Sequence, residues 1–301
     1  MGVRPGEDVL VVCNPATQEL AERLRAEARA AGADAMLLLT EEREQHGQEP
    51  PAAVAAAMAR ADVVLIPTVK SLSHTAARRD ACAAGARIAT FPGVTADMLA
   101  RVMSADMDEL RRRGAEVARR LTEADEARIT CANGSDLRLS LRGRTAIPDA
   151  GDLQERGAFG NLPCGEGFVA PLHTEGEGTL VVDGTIGGIG IPAKPCELRV
   201  EGGRLVAASG PEGERLLEAL RAAGEDGTCV AELGIGTNEK AQLTGNLLED
   251  EKILGTCHVA FGASAGIGGE VQVPVHLDCV VMKPTVELDG EPLVRDGELL
   301  I

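Results

Sequence analysis

The sequence predicts an α/β N-terminal domain with a mostly parallel sheet, followed by an α+β C-terminal domain that carries a metal site. Three observations lead there. Short apolar runs alternate with helical stretches over the first 125 or so residues. After Glu126 the pattern changes to short β-like runs punctuated by Gly, Pro and Asp. Histidines and single carboxylates then stand inside apolar segments of this second half, where an unpaired charge would be costly.

In the first half, Val9–Cys13 is a strand and Gln18–Ala31 a helix, followed by a second strand at Ala35–Leu39. A polar loop, Glu41–Pro51, leads to an Ala-rich helix ending near Ala61. Asp62–Pro67 and Arg87–Phe91 are further strands, separated by a helix over Ala76–Ala84. Strands alternating with helices of this length predict a parallel sheet with helices on both faces. Thr95–Ala124 is helical and rich in Arg and Glu, and closes this domain. The boundary is expected at residues 1–126 and 127–301. In the second half, Leu137–Leu141, Gly178–Gly184, Cys196–Val200 and Arg204–Ala208 are strands, and Gly213–Ala223 is a helix. Val271–Leu277 and Val280–Met282 are expected as two more strands, with a hairpin turn at Asp289-Gly290.

Composition narrows the function. Trp and Tyr are absent and Phe occurs four times, so stacking platforms for single-stranded nucleic acid are lacking. A formal net charge of −17 repels nucleic acid and anionic membrane. No apolar run approaches the roughly 20 residues that span a bilayer, and the N-terminus enters a strand directly, so a cytoplasmic location is expected. Eight cysteines are scattered without a CxxC pair, which excludes the usual zinc-ribbon spacing.

Chemistry concentrates in the second half. His276 and Asp278 lie at i and i+2, so on a strand both project from one face. A His–Asp hydrogen bond within the core accounts for that pair as well as a metal does. His258 is a second imidazole in an apolar, Gly-bounded segment, and Glu232 and Glu166 are single acids in otherwise neutral runs. A shared metal is the economical explanation for all five. Nitrogen and oxygen donors of this kind suit zinc, manganese, cobalt or iron. Glu249-Asp250-Glu251 is expected to be a solvated turn or helix start. In the first half, Ser73-His74-Thr75 offers His74 as a substrate-binding residue, while a helix cap accounts for Ser73 and Thr75.

Four ordered segments resemble the aminopeptidase T/aminopeptidase S family of metallopeptidases, the leucyl aminopeptidase T-like or thermophilic metalloprotease-like group. They are Asn161–Pro171, Ala231–Asn238, the His258 segment through Gly262, and His276-Leu277-Asp278. The resemblance spans about 130 to 290 and, more loosely, the N-terminal half. It implies a hydrolase that acts on the N-terminus of short peptides or a related small amide, through water activated by two divalent ions (Zn, Co or Mn). The ligands would be Glu166, Glu232, His258, His276 and Asp278, with Glu166 and Glu232 also catalytic, and the protein a homodimer. One departure stands out: the family tyrosine seven residues after His258 is replaced by Ala265. A second branch of the same scaffold contains dihydroxypyridine ring-cleaving dioxygenases with one Fe(II), for which His258, His276 and Asp278 form a two-histidine, one-carboxylate triad. That branch carries a histidine in place of Glu232 and no acid at the position of Glu166, so both glutamates favour the hydrolase. A non-catalytic metal-binding relative is the third alternative.

Overall fold

The computed structural model describes residues 1–301. Packing divides the chain into two compact units, Met1–Met103 with Gly151–Cys164, and Ser104–Ala150 with Gly165–Ile301.

The first unit is the parallel α/β arrangement that the alternating pattern predicts. Its sheet runs in the order Asp34–Leu39, Asp8–Cys13, Val63–Ile66, Arg87–Thr90, Phe159–Asn161, with every pair parallel. Val63–Ile66 is buried along its whole length, as expected for an interior strand covered on both faces. The helices Gln18–Ala30, Ala52–Met58, Ala76–Ala84 and Ala96–Val102 provide that cover. The helix at Ala76 starts where Thr75 accepts a hydrogen bond from the Arg78 amide, and ends at Gly85 in the left-handed region. The fifth strand comes from residues about seventy positions beyond its sheet neighbour, and no local periodicity announces it.

The second unit begins earlier than the change of sequence texture, because the helix Met107–Glu123 belongs to it. Asp106 caps this helix by accepting from the amides of Asp108 and Glu109. Its apolar stripe, Leu110, Val117, Ala118 and Leu121, is buried. Two antiparallel sheets follow. The larger has eight strands in the order Arg204–Ala208, Cys196–Glu201, Gly176–Val182, Asp136–Ser140, Glu126–Thr130, Thr285–Leu288, Glu291–Arg295, Glu298–Leu299. The smaller has five, in the order His276–Val281, Cys257–Gly262, Val230–Gly236, Glu166–Val169, Ile147–Asp149. One continuous apolar cluster joins them, drawing Leu137, Leu139, Leu180 and Val182 from the larger and Leu233, Ile235, Val259 and Phe261 from the smaller.

Where the pattern predicts two strands, at Val271–Leu277 and Val280–Met282, the structure has one, His276–Val281. The residues before it form an irregular loop, in which the amides of Ser264 and Ala265 bond to the Val271 carbonyl. Pro274 has no N–H to contribute to a ladder there.

The five-stranded sheet has two chemically distinct faces, and its register sets them. Asp149 pairs with Glu166, Glu166 with Gly236, and Phe168 with Gly234. Gly234 pairs with His258, Glu232 and Asp278 both pair with Ala260, and Gly262 pairs with His276. Paired residues share a face, and so do residues two apart along a strand. Asp149, Glu166, Glu232, His258, His276 and Asp278 therefore all project from one side. The intervening residues Val169, Leu233, Ile235, Cys257, Val259, Phe261, Cys279 and Val281 project from the other, into the apolar cluster. A bulge between Val230 and Glu232 turns Val230 to the apolar side with Phe261, while Glu232 stays in alternation with Gly234 on the polar side.

Candidate metal centre

The five residues expected as ligands converge. Donor atoms of Glu166, Glu232 and His258 all lie within 4.8 Å of one another, as do those of Glu232, His276 and Asp278, so Glu232 is common to both groups. His258 Nε2 is 3.1 Å from Glu166 Oε2 and 3.3 Å from Glu232 Oε1. His276 Nε2 is 3.2 Å from Glu232 Oε2 and 3.3 Å from Asp278 Oδ1. His258 is fully buried, and Glu166, Glu232 and Asp278 are 5–7% exposed.

Local backbone features make this packing possible. A Cβ built on Gly234 would fall 2.1 Å from His258 Nε2, so the imidazole lies over a position where only glycine fits. His276 is oriented from behind, since its Nδ1 is 2.7 Å from the Ala263 carbonyl. A carbonyl can only accept, so Nδ1 carries the proton and Nε2 is the nitrogen turned toward the carboxylates.

In the absence of a metal ion, electrostatics load this face with protons. Burial would lower the pKa of His258, but hydrogen bonding to Glu166 and Glu232 raises it well above the usual imidazole value. Burial likewise opposes charge on His276, and Asp278 and Glu232 overcome it. Burial would raise the carboxyl groups, yet Lys252 and His258 hold Glu166 below its ordinary range, the two histidines lower Glu232, and His276 lowers Asp278. Each imidazolium stands where a cation is wanted.

The donors suit a divalent metal. Two imidazoles and a carboxylate on one face are a set that holds ferrous iron with positions left open. Glu166 Oε2 is buried, with His258 Nε2 at 3.1 Å as its nearby cationic partner.

Other residues fall elsewhere. His74 belongs to the first unit, where it is exposed and its carbonyl accepts from Arg79. Thr75 caps the helix, whereas Ser73 is buried against Thr90, 2.8 Å between hydroxyl oxygens, and Asn161. Glu249, Asp250 and Glu251 are buried, not solvated. Asp250 accepts from Thr185 and from the amides of Thr244 and Gly245, and Glu249 from the Gln242 amide, so these acids organise the loop before them. Sequence reasoning misses Lys252, which is fully buried, contacts Glu166, and lies 2.8 Å from Glu251 and 3.6 Å from Asp149. The one clue to it is its place as the last charge before the apolar Ile253-Leu254.

The family profile for NicX, 2,5-dihydroxypyridine 5,6-dioxygenase, matches residues 1–301. The chain belongs to this dioxygenase family. A 2,5-dihydroxypyridine 5,6-dioxygenase of Pseudomonas putida is 26% identical over 220 residues, covering 68% of this chain and 62% of the relative. The aligned region thus spans less than two thirds of that curated protein. The solved 2,5-dihydroxypyridine dioxygenase of Pseudomonas putida KT2440 superposes with a TM-score of 0.84 at 21% identity, over 99% of this chain and 93% of that one. AmpT from Thermus thermophilus superposes with a TM-score of 0.71 at 18% identity, over 99% and 95%.

Membership in the NicX family corrects the expected activity. The resemblance to aminopeptidases T and S holds for the fold, but membership in a dioxygenase family overturns the hydrolase, aminopeptidase and protease expectations. Two histidines with carboxylates serve either chemistry, so donor identity alone does not separate them. The glutamates at 166 and 232, which by resemblance favour the hydrolase, do not exclude the NicX family. Nothing in the family assignment calls for the pair of Zn, Co or Mn ions implied by the peptidase resemblance. No helix is long and apolar enough to cross a membrane.

Proposed function

We propose that this protein is an Fe(II)-dependent ring-cleaving dioxygenase acting on a dihydroxypyridine or a closely related hydroxylated nitrogen heterocycle. The observation that carries the reading is the projection of His258, His276 and Asp278 from one face of the five-stranded sheet, with Glu232 within 3.3 Å of both imidazoles, in a chain matched by the NicX family along its whole length.

His258, His276 and Asp278 would hold the iron. When bound, ferrous iron supplies the one-electron chemistry that lets dioxygen react with a spin-paired aromatic ring. His276 presents Nε2 because Ala263 fixes the proton on Nδ1. Glu232, within 3.3 Å of both imidazoles, accepts the proton of a ring hydroxyl at its carboxylate as substrate enters. Deprotonation makes the ring more electron-rich and easier to oxidise. Burial of Glu232, His258 and Asp278, with His276 only partly exposed, limits bulk water at the reacting atoms.

The test is turnover by protein loaded anaerobically with Fe(II). With 2,5-dihydroxypyridine, oxygen uptake and loss of ring absorbance in equal molar amounts are expected. Release of amino acids from short peptides or aminoacyl-anilides, with no oxygen consumption, would overturn the reading.

A further inference from the structure

We propose that Lys252 limits this face to a single divalent ion by setting a fixed ammonium charge against Glu166, the carboxylate that a second ion would need. The proposal deepens the one-iron reading above and rests on it for the identity of the resident metal.

The polar face carries two overlapping three-donor groups with Glu232 in common. Donor count alone would admit an ion in each. The two groups differ in what lies behind them. In one, His276 Nε2 stands 3.2 Å from Glu232 and 3.3 Å from Asp278. Glu166, the distinguishing member of the other group, is in direct contact with Lys252 Nζ. The same ammonium reaches Glu251 and Asp149, so a fixed positive charge already sits among three carboxylates on that side. A divalent ion on Glu166 would have to sit close to this ammonium in a dry environment, where like charges repel strongly.

The main chain at Lys252 is held against the sheet. Its carbonyl accepts from the Asn238 amide at 2.9 Å, and the Asn238 carbonyl accepts from Leu254 at 3.1 Å. The adjoining Ile253 carbonyl lies 2.0 Å from where a Cβ on Gly236 would be, so glycine there lets the Lys252 segment close down on the sheet. The Lys252 side chain is fully buried. Lys252 thus acts through Glu166 and is a positioning residue, not a catalytic one.

The experiment compares metal stoichiometry in wild type and Lys252→Met, each stripped, equilibrated with excess Mn2+ and separated from free ion. One Mn per chain is expected for wild type. Two are expected for the variant, with an exchange-coupled electron paramagnetic resonance spectrum absent from wild type. Adding Glu166→Gln to Lys252→Met should return the count to one. Two ions in wild type, or one in a folded Lys252→Met, would overturn the proposal. Should Lys252→Met fail to fold, Lys252→Gln is scored by the same criterion. Oxygen uptake is recorded separately: a one-ion protein that consumes no oxygen with a dihydroxypyridine defeats the dioxygenase reading and leaves the role of Lys252 standing.

Discussion

Gly234 and His258 face each other across neighbouring strands, and a Cβ on the glycine would fall 2.1 Å from the imidazole Nε2. The contact is with the nitrogen proposed to hold the metal, so a methyl group at 234 would strike the site itself. Gly234→Ala should therefore leave the fold intact by circular dichroism but push His258 away from its partners. Relieving that contact takes a shift of about 1 Å, at least as disruptive as losing an orienting partner, so affinity should fall by about 100-fold or more. Titration with Co2+, followed by its absorption spectrum, measures this. Unchanged affinity would mean that His258 is not a ligand.

Metal binding should release protons. His258 and His276 have pKa values well above the usual imidazole range when no metal is bound, so both are protonated near neutrality and must lose that proton to ligate. Affinity should rise with pH, by about tenfold per unit for each proton displaced. Calorimetry in buffers of different ionisation enthalpy counts the protons. The same shifts fix a stability term in stripped protein: it is fully present below the ordinary histidine pKa and fades as pH rises through the raised, folded-state value.

Glu251 gives a separable pH effect. Burial, outweighing Lys252, raises its carboxyl to about 8, so the folded chain keeps a proton that the unfolded chain loses near the ordinary carboxylate value. More protons bound in the folded state means that stability of stripped protein falls as pH rises from the ordinary value toward 8. Between about pH 5 and 5.5, imidazoles are still about nine-tenths protonated in the unfolded chain and protonated in the folded one, so the slope there belongs to Glu251. Glu251→Gln should flatten it, as read from urea midpoints at several pH values. A slope unchanged in the variant would contradict the assignment.

A resident metal should also stabilise. Ligand at a hundred times its dissociation constant adds about 2.7 kcal/mol to the folded state. Chelation should lower the melting temperature of wild type, and His276→Ala should melt at the same temperature with and without chelator. A chelator effect of wild-type size in His276→Ala would place the metal elsewhere.

Much of this face is legible in the sequence, because its strands alternate. Glu232, Gly234 and Gly236 are interleaved with Leu233 and Ile235, and His258, Ala260 and Gly262 with Cys257, Val259 and Phe261. That period of two is enough to separate the polar side from the apolar one. Other parts are not legible, for physical reasons. Lys252 follows three acids, and a lysine among acids ordinarily marks a solvated turn; only tertiary packing buries it. The Phe159–Asn161 strand is three residues long and joins a sheet built from the start of the chain, a long-range pairing that leaves no local pattern. The reaction class is hidden because oxygenases and hydrolases draw on the same imidazole and carboxylate donors. Ala265, standing where the peptidases have tyrosine, is the residue that argues against hydrolysis.

The most direct measurement is turnover of 2,5-dihydroxypyridine under 18O2 by the Fe(II)-loaded protein, with Asp278→Asn as control. Mass spectrometry should find both labelled atoms in one ring-opened product from wild type, and none from the control. Product that takes its oxygen from water, or equal turnover by Asp278→Asn, would contradict an iron dioxygenase built on this face.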